Sequence, residues 1–378
     1  MEGIQVNAST GLRRGASLLV VLLLALATPA SAQHADERGS NVLPQVSFEG
    51  LFYLTYQTGE SGGQDFSKFA VTRSYFTTRV KILPNLSARI TMDGHQDDTG
   101  DMKVRLKYAY GKFDFGDWGN LSKVGLEAGI VHMVWLDFEE HIDMYRMRDK
   151  MFIERSGMFN SADMGLTLAG GFGEDLSEEY QEEVSHYYPS RYGSWAVGVY
   201  NGGGYHANEE NENKSIQGRL TVRPLPDVFP GFQLSGLAVV GEGNQEGEPE
   251  ETPDLRAFDI MASYQFPNGT VTAQFATGEG NQQGSWAEPD YPDQATEYDG
   301  FSLFGEYKLG PNWRLIAGFD DFERMPEGSD LSFKRMHAGI GYDFGGSNIL
   351  LFDLDRRKWD DSDRETDTRA QVVMQVKF

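Results

Sequence analysis

The chain contains no cysteine, which removes at once a disulfide scaffold, a thiolate metal site and a cysteine nucleophile. Long apolar runs are also missing beyond the N-terminus. A spanning helix needs roughly 20 consecutive apolar residues, so a helical membrane protein is excluded. Basic residues are outnumbered, 33 Lys+Arg against 57 Asp+Glu, for a formal charge of −24 over 378 residues. Nucleic-acid binding draws on clustered Lys/Arg, and no nucleic-acid partner is expected. The seven histidines are scattered, none stands in a local nucleophile motif, and no glycine-rich phosphate loop joins a strand to a helix. No enzyme activity, cofactor or metal site is therefore expected. What the chain does have is 39% hydrophobic and 12% aromatic residues, ample material for ordered structure.

The one apolar stretch runs from Leu18 to Ala27, behind Arg13 and Arg14 and ahead of Ala30-Ser31-Ala32. A basic start, a short apolar core and a small-x-small site make a secretory signal peptide, residues 1–32, cleaved after Ala32. A short segment, 33–45, follows on the periplasmic side, and 46–378 is expected to form one domain. The leader carries Glu2, Arg13 and Arg14, so its removal makes the mature chain more acidic still.

Beyond residue 44 the dominant period is two. Leu86, Ala88, Ile90 and Met92 alternate with Ser87, Arg89, Thr91 and Asp93. Met102, Val104, Leu106, Tyr108 and Tyr110 alternate with Lys103, Arg105, Lys107 and Ala109, and Ala370, Val372, Met374 and Val376 with Arg369, Gln371, Gln375 and Lys377. Such alternation marks half-buried strands, with expected centres at 52, 77, 90, 106, 128, 166, 197, 219, 236, 260, 273, 304, 317, 338, 351 and 373. Three features favour an all-β transmembrane antiparallel barrel of about sixteen strands over a secreted sandwich. Tight turns (83–85, 267–269, 310–312, 345–347) alternate with long polar links. Aromatics gather at strand ends, among them Phe113, Phe115, Phe229, Phe232, Phe266, Trp313 and Phe344, as in an interfacial girdle. The chain also stops inside a strand, on Phe378. The acidic stretch 171–191 breaks the pattern: either it is a periplasmic insertion, or the strand count is off by two there.

If the apolar faces meet lipid, the polar faces line a lumen. The pore-lining basic set is then Arg73, Arg79, Lys81, Arg89, Lys103, Arg105, Lys107, Arg219 and Arg223, while acids concentrate in loops such as 241–254. Cationic walls favour anions; the competing expectation pairs these cations with carboxylates on neighbouring strands, such as Asp93. The longest polar interruption, 132–162, is expected to fold inward as a constriction loop carrying Glu139, Glu140, Asp143, Arg146, Arg148, Lys150 and Arg155, with both signs of charge. Loops of that length in a compact fold are commonly functional.

Phe152-Ile153-Glu154-Arg155-Ser156, Asp163-Met164-Gly165-Leu166, Ala196-Val197-Gly198-Val199-Tyr200-Asn201-Gly202 and Gly218-Arg219-Leu220-Thr221-Val222-Arg223-Pro224 resemble the phosphate-selective porin (O and P) family. Gly305-Glu306-Tyr307 and the closing Gln375-Val376-Lys377-Phe378 fit the same pattern. The resemblance spans about 46–378. It implies a sixteen-stranded homotrimeric porin of the Gram-negative outer membrane, with an inward-folded third loop and anions, phosphate among them, as permeants. The partners expected are outer-membrane lipid and a small-molecule or ionic permeant. A plugged structural or adhesive barrel, or a general or cation-preferring porin, is the alternative.

Overall fold

The computed structural model describes residues 44–97, 99–247, 252–325 and 331–378. The expected leader and nearly all of 33–45 lie outside the described residues, as do Asp98 and residues 248–251 of the acidic loop. The chain divides into a leading unit, Met1–Gln45, and a second unit, Val46–Phe378, which is the barrel.

Its first strands are β1 (Gln45–Ser61), β2 (Gln64–Leu83), β3 (Leu86–Gln96), β4 (Met102–Trp118), β5 (Leu121–His132) and β6 (Ala162–Phe172). Next come β7 (Gly193–Tyr200), β8 (Ser215–Val222), β9 (Phe232–Glu242), β10 (Asp254–Phe266) and β11 (Gly269–Glu279). After a small two-stranded sheet, β12 (Ala287–Glu288) with β13 (Tyr291–Ala295), the wall resumes with β14 (Glu297–Leu309) and β15 (Trp313–Arg324). It finishes with β16 (Phe333–Asp343), β17 (Ile349–Trp359) and β18 (Asp367–Lys377). Each wall strand pairs with its neighbour in order, and β18 returns to β1 to close the barrel. Tyr53 faces Gln375 across that closure, and the Phe378 and Gly50 backbones exchange two hydrogen bonds of 2.9 and 3.1 Å. All sixteen expected strand centres fall inside the sixteen wall strands.

The joints follow the expected asymmetry. At the end that holds Gln45 and Phe378, here the terminal end, most joints are short: 84–85, 119–120, 267–268, 310–312 and 344–348. At the far end the links 133–161, 201–214, 243–253 and 280–296 are long. A tight far-end joint is Gly62-Gly63, with φ of 55° and 72°; two successive positive values suit a primed hairpin turn, which glycine adopts without strain. The stretch 173–192 is an insertion at the terminal end, carrying the short helix α3 (Glu178–Glu183), and the strand count stands.

Alternation sets the two faces. On β10, Leu255, Ala257, Asp259, Met261 and Ser263 are buried toward the lumen while Phe258 and Ile260 remain about half exposed on the outer wall. Leu234 on β9 and Phe275 on β11 extend that outer surface. A continuous apolar belt of this kind needs lipid to cover it, and each Leu- or Phe-sized side chain removed from water contributes about 1.5–3 kcal/mol. Aromatic contacts cluster along its terminal-end rim: Phe115 with Trp118, Phe229 and Phe266 with Tyr264, Trp313 and Phe344 with Tyr342.

Strand β4 departs from simple alternation in mid-wall. Thr91 faces Tyr108 and Met92 faces Leu106, leaving Lys107 as the extra residue of a β-bulge. A bulge inserts one residue without a partner and turns the side chains beyond it to the other face. Tyr108 and Tyr110, expected on the apolar outer face, therefore point inward, where they are 6% and 8% exposed.

Candidate functional site: the inward loop and the wall it faces

The link between β5 and β6 folds into the barrel. It holds the helices α1 (Leu136–Glu140) and α2 (Phe152–Ser156), and its apolar residues Trp135, Leu136, Phe138, Met151 and Ile153 pack with Leu237, Val239, Leu255 and Ala257 of the wall. Tyr145 and Met147 pack on the opposite side, with Tyr53, Phe304 and Leu351. The loop thus crosses the lumen from one wall to the other.

Polar bonds hold it around the ring. Arg219 of β8 donates to the Val134 carbonyl at 3.0 Å, and the Tyr145 hydroxyl donates to Glu306 of β14 at 2.7 Å. Arg155 pairs with Asp320 of β15 at 2.5 Å. Asp149 lies 3.0 Å from Arg335 of β16, and the Arg148 carbonyl accepts from Arg369 and Gln371 of β18 at 3.0 and 2.8 Å. Burial pushes the Asp149 carboxyl up, but Arg335, Arg369, Arg155 and Arg357 outweigh it and hold Asp149 well below the usual carboxylate range. Glu139 goes the other way: burial, with Asp259 and Asp143 beside it, raises it well above that range.

Within the loop, charges are matched. Arg146 sits between Glu140 at 2.9 Å and Glu154 at 2.6 Å, and Arg148 grips Asp143 through two bonds of 2.8 and 2.7 Å. Lys150 is exposed. The wall opposite, β1–β4, differs. Arg73 stacks on Tyr53 and Tyr75, 5.4 and 4.6 Å from the ring centres. Lys107 donates to the Tyr75 hydroxyl at 2.6 Å and lies near the rings of Tyr108 and Tyr205. Arg89 stacks on Tyr108 at 4.5 Å and donates to His132 Nε2 at 2.9 Å. The other ring nitrogen, Nδ1, lies 2.8 Å from a Glu127 carboxylate oxygen. Among the described residues none of Arg73, Arg89 and Lys107 forms an ion pair with a carboxylate. Tyrosine rings stabilise a cation without cancelling its charge.

The other basic positions are engaged differently. Arg105 pairs with Asp93 at 3.1 Å, Arg79 with Glu49 at 2.8 Å and Lys103 with Asp97 at 2.5 Å; Lys81 is exposed near the terminal end. Arg219 and Arg223 face inward, each 4% exposed. Arg219 stacks between Phe138 and Tyr188, and Arg223 donates to the Tyr188 and Pro230 carbonyls. They anchor the loop and the insertion 173–192. That insertion reaches the loop from below: Tyr188 meets Asp137 and Phe138, and Tyr187 meets His141 at 3.9 Å between ring centres. A cavity of about 290 Å³, reached by Glu127, His132, Asp137, Tyr188 and Arg219, lies on this side of the loop. A second, of about 420 Å³, lies on the far-end side, bordered by Gln57, Asp65, Asp149, Arg357 and Arg369.

Sequence reasoning did not pick out Asp320 or Glu306 as partners of the loop. Both stand on the inward side of alternating strands, which is the signal that could have found them. Nothing in the sequence indicated that Tyr187 and Tyr188 fold back onto the loop.

A closed sixteen-stranded barrel, belted outside with apolar side chains and crossed inside by a charged loop, has the architecture of an outer-membrane channel. The Gram-negative porin family matches residues 17–373, and the chain belongs to that family. Among solved structures, an anion-selective porin from Comamonas acidovorans aligns at a TM-score of 0.62 with 10% identity, covering 89% of this chain and 100% of that one. OmpF of Salmonella typhi, in complex with daunomycin, aligns at 0.59 with 11% identity over 88% and 97%. The trimer form of OmpT, an outer membrane protein of Vibrio cholerae, aligns at 0.53 with 11% identity over 89% and 99%. These likenesses are of fold. No curated protein matches the chain.

Proposed function

We propose that the chain is a passive diffusion porin whose constriction, set by the loop 133–161, prefers anions. The observation that supports this reading is the charge surplus of the β1–β4 wall. Arg73, Arg89 and Lys107 face the lumen without a carboxylate partner among the described residues, whereas the loop's Arg146, Arg148 and Arg155 each have one. A lumen with surplus fixed cations concentrates anions by Coulomb attraction. In this reading the terminal end faces the periplasm, 1–32 is a cleaved export signal, 33–45 is a short periplasmic lead-in, and the barrel assembles as a homotrimer, as one structural neighbour does.

The test is a planar bilayer recording across a KCl gradient. Stable conductance steps with a reversal potential on the chloride side support the proposal. A reversal potential on the potassium side overturns the anion preference while leaving the channel intact. Dose-dependent block of the chloride current by inorganic phosphate would extend the preference to phosphate. A second reading, a structural barrel with a plugged lumen, draws on the packing of the loop against opposite walls and on the insertion beneath it. Electrically silent bilayers containing folded protein would favour that reading.

A further inference from the structure

The cations of the β1–β4 wall that lack a carboxylate partner among the described residues are not scattered over it. Tyr53, Arg73, Tyr75, Lys107, Tyr108 and Arg89 form one row in which rings and charges alternate. Arg73 lies 5.4 Å from the centre of the Tyr53 ring and 4.6 Å from that of Tyr75. Lys107 follows at 4.8 Å from Tyr75 and 5.5 Å from Tyr108, and Arg89 closes the row 4.5 Å from Tyr108. The row also has a direction. Tyr108 shares a level with Thr91 and Thr77, and Arg89 shares one with Arg79. From Arg73 to the level of Arg79 the row therefore descends six residues of β2 toward the terminal end. At about 3.3 Å per residue this is about 20 Å of strand, covered in the direction of permeation. Glu140 and Glu154 lie within electrostatic reach of both Arg73 and Lys107, which sets the row beside the inward loop.

Charge alone does not call for this arrangement. Arg146, Arg148 and Arg155 of the loop are held by carboxylates, and a wall that only attracts small anions needs cations without rings between them. Arg73 and Tyr75 are half-buried, so both reach the lumen. A guanidinium lying over a ring keeps its N–H fork at its own edge, where a carboxylate binds in plane through two parallel bonds. In benzoate the carboxylate and the ring are coplanar. An aromatic carboxylate held by Arg73 therefore lays its ring beside Tyr53 or Tyr75 in the offset arrangement that aromatic pairs favour. An aliphatic carboxylate of the same size gains no such contact. Lys107 supplies the next charge and Arg89 the one after it. Successive weak sites of one kind let a solute bind, move on and leave.

We propose that this row is a selective path for small aromatic carboxylates, of which benzoate is the simplest. It rests on the anion preference proposed above and narrows that preference to a class of solute.

Chloride current through the protein in planar bilayers is measured at neutral pH while benzoate or cyclohexanecarboxylate is added, with protein-free bilayers as the baseline. The two match in charge and nearly in size, and only benzoate has a π face. Benzoate is expected to reduce the current at a concentration roughly three- to tenfold lower. Tyr75→Leu with Tyr108→Leu removes two rings and brings the ratio close to one. Tyr75→Phe loses the hydroxyl that accepts from Lys107 but keeps the ring, and retains the ratio. A change in pore width or wall charge acts on both carboxylates alike, so the ratio reads the rings. Where the double variant lacks the heat-modifiable gel shift of a folded barrel, Tyr75→Leu alone is read in its place. Equal block by the two carboxylates in the unaltered protein overturns the proposal. So does a ratio that survives in the leucine variant or is lost in Tyr75→Phe. In each of these cases a reversal potential on the chloride side leaves the anion preference standing. A reversal potential on the potassium side, or silent bilayers, overturns both.

Discussion

The Tyr188 hydroxyl donates a 2.7 Å hydrogen bond to the Asp137 carboxylate, joining the insertion at the terminal end to the loop that crosses the lumen. Asp137 is also 3.6 Å from both His132 and His141. Burial raises its carboxyl, but His141, His132 and the Tyr188 bond together hold it well below the usual range. A hydrogen bond to a charged acceptor contributes about 1.5–3 kcal/mol. Tyr188→Phe keeps the edge contact with Phe138 and removes the bond. The expected outcome is a noisier open state with more frequent sub-steps in single-channel records, at nearly unchanged mean conductance. Identical noise in the variant would mean that the insertion does not brace the loop.

Glu140 and Glu154 hold Arg146 between them. Replacing both with Gln leaves one more uncompensated cation beside Arg73 and Lys107, at nearly the same volume. The reversal potential in a KCl gradient is expected to move further toward chloride. An unchanged reversal potential would show that permeating ions do not sense this part of the loop.

The opposite change is made on the wall. Arg73→Gln with Lys107→Gln removes two of the three unpaired cations and keeps Tyr53, Tyr75 and Tyr108 in place. Chloride preference is expected to fall by severalfold, or to invert, with conductance altered less than selectivity. If selectivity holds while conductance collapses, the two residues support the wall and do not set the field.

Two loop carboxylates should respond to acid in opposite ways. Asp149 is lowered in the folded state, so its stabilising contribution is present above the ordinary carboxylate range and is lost only as pH falls through its depressed folded value. Glu139 is raised, so its contribution is fully present below about pH 4.3 and is lost as pH climbs toward its elevated folded value. Asp149→Asn should lower the urea midpoint at pH 7, and Glu139→Gln should raise it at pH 7 but not at pH 3. Trp135 donates to Glu139 at 3.0 Å, and its fluorescence reports the loop directly. A Glu139→Gln effect of equal size at both pH values would contradict the raised carboxyl.

The strands were legible because the signal is local. Two neighbouring residues decide which face each takes, and the pattern recurs in β3, β8 and β18. The inward loop was legible from its length and content, since aromatics such as Trp135 and Phe138 in a polar link call for burial. Charge pairing was not. Whether Arg105 meets Asp93, or Arg155 meets Asp320, depends on register between strands or on how a loop lies across a ring, and neither is written in a local period. The expected basic lumen is accordingly thinner than alternation alone suggests. Several of its cations are matched across strands, and the surplus that remains sits on tyrosine rings. The brace from Tyr188 was illegible for the same reason: 173–192 is acidic and reads as a solvated tip until the fold brings it back.

Lys107 gives the wall of the lumen a phase. The tyrosines beyond it face inward only because one additional residue precedes them, so their orientation is encoded by counting and not by chemical character. A substitution at that position changes one side chain. Removing the residue would shift the count for the rest of β4, carry Tyr108 and Tyr110 toward lipid, and take away the ring on which Arg89 rests. For this segment the length of the strand is therefore under tighter constraint than the identity of any residue within it.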